Sequence, residues 1–260
     1  MITKVSKSLS FSRAALLIAK TAMAVAVAPA FGQVPATLTS PGDQPGLIEQ
    51  LEARPDDLSV IMRIMANPQE RAVPALQRAF ESVATEPQKQ WLAVALVRSG
   101  ADSAEPLDYL IEEARKTIDS AAPSPIAFDE FGGLDRENLN PAFLEWCLER
   151  GLDPNREASN QIYTIPRALQ FLEYTGSPEV RPVLIAALST DNSFLVIHAA
   201  RALLAIAGSG AVSAVSARAD ASPRDQRCAL VVLLMGAAPA EESGSLFGRY
   251  PECELPTLAQ

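Results

Sequence analysis

From Leu47 onward, apolar residues recur three or four positions apart, and the runs are broken by short clusters of Pro, Gly, Ser and Asp. That period buries one face of a helix and leaves the other to solvent. The pattern predicts helices over 46–53, 56–66, 69–83, 88–99 and 104–119. A second set is expected over 138–150, 159–174, 178–189, 192–207, 210–219 and 223–236. Two stretches break the rhythm. Residues 33–46 are rich in Pro and Gly and read as a flexible leader, and residues 120–137 read as a long irregular loop carrying Ile126, Phe128 and Phe131. Loops of that length within compact domains are uncommon and are often functional or disordered, while two phenylalanines folding back to plug a gap is the plainer alternative.

The helical runs also repeat. Ala72–Leu76, Glu105–Leu107, Asn140–Leu144, Val180–Leu184 and Ala211–Val215 share a position held by Pro74, Pro106, Pro141, Pro182 and, in the last case, Ser213. Successive marks are 32, 35, 41 and 31 residues apart. A proline in the first turn of a helix gives up no intrahelical hydrogen bond, so it marks a recurring helix start. Between the marks lie alanine-containing helices that run into Gly100, Gly176, Gly208 and Gly236. Small side chains allow close helix approach, and a glycine suits the left-handed C-cap.

Composition supports helices: 48% of the chain is hydrophobic, only 6% is aromatic, and Ala and Leu dominate the apolar share. The first 32 residues are set apart from the fold. Their charges are Lys4, Lys7, Arg13 and Lys20, and an apolar run over 21–28 ends at small residues. This is the layout of an export signal cleaved after Ala30 or Gly32, giving a periplasmic or secreted protein; an ordinary N-terminal helix is the alternative. No run in the sequence approaches the roughly 18–20 apolar residues that a membrane span requires. Removing residues 1–32 takes the net charge from −9 to −13, so a phosphate backbone is a poor partner. The cysteines, Cys147, Cys228 and Cys253, are too few and too scattered for a disulfide framework. Cys228, inside an apolar run, reads as a small buried hydrophobe; one pair can still bridge, with Cys147 or Cys253 the freer members.

Phe194–Gly208 followed by Ala211–Val215 resembles a HEAT repeat, especially the bacterial HEAT-like subtype related to phycobilisome lyase repeats. That family pattern is a valine-led AAxAL helix, a glycine turn and an AVPAL-type helix, and Ala72–Leu76 matches the last part closely. The resemblance covers most of residues 70–236, with Ile197 standing where many members carry an arginine. It implies an all-α fold, a right-handed α-solenoid of about five HEAT-like hairpins over 47–238, closed by a tail over 239–260. Tetratricopeptide and ankyrin signatures of similar period are absent.

Chemistry is sparse. His198 is the sole histidine and lies mid-helix, where a structural role is the plainer reading. Asp129, Glu130 and Asp135 flank Gly132 and Gly133 without the spacing of a calcium loop, and Gly208-Ser209-Gly210 lacks the residues of a phosphate loop. Glu112-Glu113 and Glu241-Glu242 are adjacent and diverge on a helix. No catalytic, cofactor-binding or metal-binding residue is assigned, and the expected function is a non-enzymatic adaptor or scaffold that binds a protein or peptide. An enzyme accessory or lyase-like protein is the alternative. The resemblance places partners on the second helices of the repeats, where Lys89, Gln90, Arg98, Arg167, Gln170, Tyr174, Arg201, Arg224 and Arg227 stand. A basic strip on an acidic protein suits an acidic partner; the alternative is that these arginines pair with neighbouring carboxylates.

Overall fold

The computed structural model describes residues 44–128, 134–237, 245–246 and 248–253. The expected signal segment 1–32, residues 33–43, Asp129, Glu130, Phe131 and the paired glycines after it, Glu241, Glu242 and Phe247 lie outside the described residues. The described chain is α-helical apart from one short pair of strands. In order, the elements are α1 (Gln44–Ala53), α2 (Leu58–Ala66), α3 (Val73–Ser82), α4 (Glu86–Arg98), α5 (Glu105–Asp119), β1 (Ile126–Phe128) and β2 (Leu134–Leu139). They continue with α6 (Pro141–Glu149), α7 (Pro154–Thr175), α8 (Arg181–Leu188), α9 (Ser193–Ala207), α10 (Ser209–Ala221) and α11 (Arg224–Ala237).

Each helix expected from the periodicity has a counterpart. Proline occupies the first turn of α3, α5, α6 and α8, as the recurring marks require, and also of α4 and α7. Ser213 is different, since α10 starts at Ser209 and places it a full turn inside the helix. Gly176 takes a left-handed backbone at the end of α7, with φ of 65°. Gly236 does not end a helix: it lies within α11, which runs on to Ala237.

The helices pack in two rows. In one row α2, α4, α7, α9 and α11 touch in succession; in the other α1 meets α3, and α5, α8 and α10 touch in succession. The rows are joined by α1 on α2, α3 on α4, α5 on both α4 and α7, α8 on α9, and α10 on α9 and α11. A single core runs through the layer between them, from Leu51 and Ile61 through Leu92, Leu96, Leu169, Leu172, Leu184 and Leu195 to Leu230 and Leu234. Five consecutive residues of α4, Leu92–Leu96, are fully buried. Only a helix enclosed on nearly every side does this. The alanines do the close packing: Ala93, Ala95, Ala199 and Ala200 have no exposed surface.

The expected irregular loop over 120–137 is replaced in part by an antiparallel pair, with Ile126 opposite Leu139 and Phe128 opposite Leu134. Leu134–Leu139 (LDRENL) has no alternation of apolar and polar positions, so its pairing rests on backbone hydrogen bonds that the pattern does not announce. This insert and α6 build a separate small cluster of Ala122, Phe143, Cys147 and Ala158 against α7. It is tied to the main array by Asn192, whose side chain caps α9 and donates to the Ala122 carbonyl at 2.7 Å.

The second correction concerns the cysteines. Cys228 is no isolated hydrophobe: it forms a disulfide with Cys253, and Cys147 is the free thiol. The bridge seats residues 248–253 on α10 and α11, where Leu246, Tyr250 and Cys253 join the main core. Polar contacts hold the same segment. The Tyr250 hydroxyl donates to Asp220 at 2.7 Å, Arg249 pairs with that carboxylate, and Arg227 donates to Glu252 at 2.8 Å.

Candidate partner-binding face

The residues singled out from sequence all sit on α4, α7, α9 and α11, which belong to one row, but they divide into three groups. Lys89 lies over the Phe80 ring at 4.9 Å and the Tyr109 ring at 5.3 Å, facing α3 and α5. Two residues on, about 200° round the helix, Trp91 faces α7 instead. Arg224 and Arg227 are taken up by the C-terminal segment. Arg224 donates to the Glu252 carbonyl, while Arg227 donates to the Ala219 and Ser222 carbonyls and to the Glu252 carboxylate. That charge holds the Glu252 carboxyl below its ordinary value.

The third group forms a continuous face across α4, α7 and α9. Trp91 packs edge-on to Phe171 with ring centres 4.8 Å apart and stacks on Tyr174 at 5.7 Å. Gln170 donates to the Tyr174 hydroxyl at 2.6 Å. Arg167 lies over the Phe171 ring at 5.5 Å with its side chain exposed. Arg98, two turns beyond Trp91 on the same side of α4, is exposed as well. On α9, Arg201 places two guanidinium nitrogens on one Glu173 oxygen, at 3.1 and 3.0 Å. The expected pairing of arginines with neighbouring acids therefore holds for Arg201 and Arg227. Arg98 and Arg167 form no ion pair among the described residues.

Two aromatic members of this face carry no mark in the sequence reading. Trp91 stands seven residues before Arg98, and Tyr163 stands four before Arg167; both spacings return to the same side of a helix. Tyr163 is 75% exposed, unusual for so large a ring. Along α7 the positions Tyr163, Arg167, Gln170 and Tyr174 follow i, i+4, i+7 and i+11, and none is acidic.

His198 lies on α9 one turn before Arg201, and its Nδ1 has no hydrogen-bond partner among the described residues. Burial, and secondarily the Arg201 charge, lowers its pKa from 6.5 to about 4. The imidazole is therefore neutral at pH 7, and among the described residues no carboxylate bonds to its Nδ1 to orient it as a base. Because the unfolded chain takes up this proton at higher pH than the folded one, stability is complete above pH 6.5 and falls as pH drops from 6.5 towards about 4. The loss is at most about 3 kcal/mol and is reduced by the water that reaches the ring. His198→Gln is expected to flatten that part of a plot of Tm against pH, and equal slopes for the two proteins would remove the histidine from the explanation.

The Cys147 thiol is fully enclosed, and burial pushes its pKa up, which makes it a poor nucleophile. Among the described residues no group of three or more His, Cys, Asp and Glu side chains is placed to hold a metal ion, and no helix is long and apolar enough to cross a membrane. Glu113 is engaged with Lys116, and Glu112 points to solvent. No protein-family model, curated protein or solved structure matches the chain.

Proposed function

We propose that this chain is an exported, non-enzymatic adaptor: a right-handed α-solenoid of about five HEAT-like hairpins that binds a protein or peptide on the face of the α4–α7–α9 row. The observation that carries this reading is the exposed cationic and aromatic side chains, Arg98, Arg167 and Tyr163, on that face of an acidic protein. Trp91, Tyr163 and Tyr174 supply ring surface, and Arg98 and Arg167 supply charge that no carboxylate pairs with among the described residues. Binding surfaces are enriched in Trp, Tyr and Arg because these side chains combine large contact area with directional polar groups. The two-row packing, in which α1–α2, α3–α4, α8–α9 and α10–α11 pair as chain neighbours and helices of one row touch along it, is the arrangement a solenoid of hairpins requires.

Export is favoured by the charge and apolar layout of residues 1–32 and by the Cys228–Cys253 bridge, since disulfides persist in oxidising compartments and are rare in reducing ones. An adaptor rather than an enzyme is favoured by the place of His198, the sole imidazole, whose Nδ1 is buried with no hydrogen-bond partner among the described residues.

The test is crosslinked affinity capture with residues 33–260 from an extract of the compartment to which the protein is delivered, beside the Arg167→Glu variant. A partner held by the wild type and lost by the variant is the expected result. A partner retained by the variant moves the site off this face, and no partner removes the adaptor reading.

A further inference from the structure

The stripe on α7 narrows the partner's chemistry, and this inference rests on the adaptor reading above. We infer that the face recognises an extended acidic segment of a partner protein, in which carboxylates alternate with aromatic or aliphatic side chains. Tyr163 and Tyr174 are eleven residues apart on α7, about 16 Å along the helix axis. An extended strand of about five residues covers that length. Within it the surface offers, in order, an exposed ring, a guanidinium, an amide and a second ring stacked on Trp91. The guanidinium of Arg167 already rests on the Phe171 face, which holds its plane without using its outward N–H groups on another protein carboxylate. Arg98 adds a second uncommitted guanidinium from α4 on the Trp91 side.

The neighbouring charges favour a peptide over a polyanion. Glu173, on α7 and facing α9, is paired with Arg201, so the stripe keeps its local positive sign at short range. At longer range the whole chain carries a net charge of −9, and a membrane or nucleic-acid backbone feels that total across many contacts. A short segment with a few carboxylates meets mainly the two arginines, because screening confines charge interactions to about 8–10 Å at physiological salt. The same contrast in sign discriminates against basic segments.

The experiment is a display selection of random dodecapeptides on the full protein, followed by titration of a selected peptide. The wild type is expected to enrich Asp and Glu interleaved with apolar residues. Arg98→Glu/Arg167→Glu is expected to weaken a selected peptide at least ten-fold, with Arg98→Gln/Arg167→Gln weakening it less. Tyr163→Ala, at a side chain too exposed to support the fold, is expected to weaken it several-fold. Retained circular dichroism and Tm exclude unfolding as the cause, and the glutamine pair serves if the glutamate pair fails to fold. A neutral or basic consensus, or an acidic peptide indifferent to both arginine pairs, overturns the inference. If neutral peptides are selected and Tyr163→Ala releases them, the adaptor reading stands while the acidic specificity falls. A library that yields no binder overturns both.

Discussion

Replacing Cys228 and Cys253 together by serine is expected to lower the stability of the folded chain by about 3.5 kcal/mol. The bridge closes a loop with a sequence separation of 25 residues. The chain-entropy relation for a loop of that length gives this value, arising mainly from the restricted unfolded chain. For a protein of this size the change corresponds to a fall in Tm of about 7–14 °C. The native seat of the segment does not rest on sulfur alone. Tyr250 is buried and donates to Asp220, and Arg227 holds both Glu252 and the end of α10. Calorimetry of Cys228→Ser/Cys253→Ser is therefore expected to show one cooperative transition at lower temperature rather than an early separate melting of the tail. A Tm equal to that of the wild type would show that the bridge contributes nothing to folding. An early separate transition would show that it alone holds residues 248–253.

Asn192→Ala is expected to cost about 2–4 kcal/mol. Two losses combine. The side-chain oxygen accepts from the Phe194 and Leu195 amides at 2.9 and 3.1 Å, and removing such a cap costs about 1 kcal/mol. The same side chain donates to the Ala122 carbonyl, and Ala122 is 1% exposed. A buried acceptor left without its donor costs a further 1–3 kcal/mol or so. Asn192→Ser separates the two, because a serine retains the cap but has no amide with which to reach Ala122. In urea unfolding the serine variant is expected between wild type and alanine. If it matches the wild type, the link between the insert and α9 carries no stability; if it matches alanine, the cap carries none.

These two sites also mark where the sequence stops being legible. Helices were readable because their apolar period and first-turn prolines point to the same places, as at Pro74, Pro106 and Pro182. The start of α7 was harder. Its first turns are polar, so periodicity places the start near residue 159, while the Asp153 cap and Pro154 at the first turn set it at Pro154. β1 and β2 were missed because LDRENL alternates nothing, and the disulfide because three scattered cysteines leave every pairing open. Of the binding face, the α7 residues were legible as a set, since Arg167, Gln170 and Tyr174 follow helical spacing. What sequence position could not settle was which charges were already spent. Arg201 and Arg167 occupy equivalent positions before Ala-Leu, yet Glu173 stands within reach of Arg201 and no carboxylate pairs with Arg167 among the described residues. Lys89 and Trp91 are two residues apart and serve opposite sides of α4.

The central claim is that partners meet this protein on the α4–α7–α9 face. Its most direct test is photocrosslinking in living cells with a benzophenone amino acid placed at Tyr163, on that face, or at Ile185, on α8 in the other row. Both side chains are exposed, at 75% and 48%, so access to solvent does not distinguish them. The expected result is a discrete crosslinked species from position 163 that is lost with Arg98→Glu/Arg167→Glu, and none from position 185. A crosslink from 185 alone, equal crosslinks from both, or none from 163 would contradict the claim.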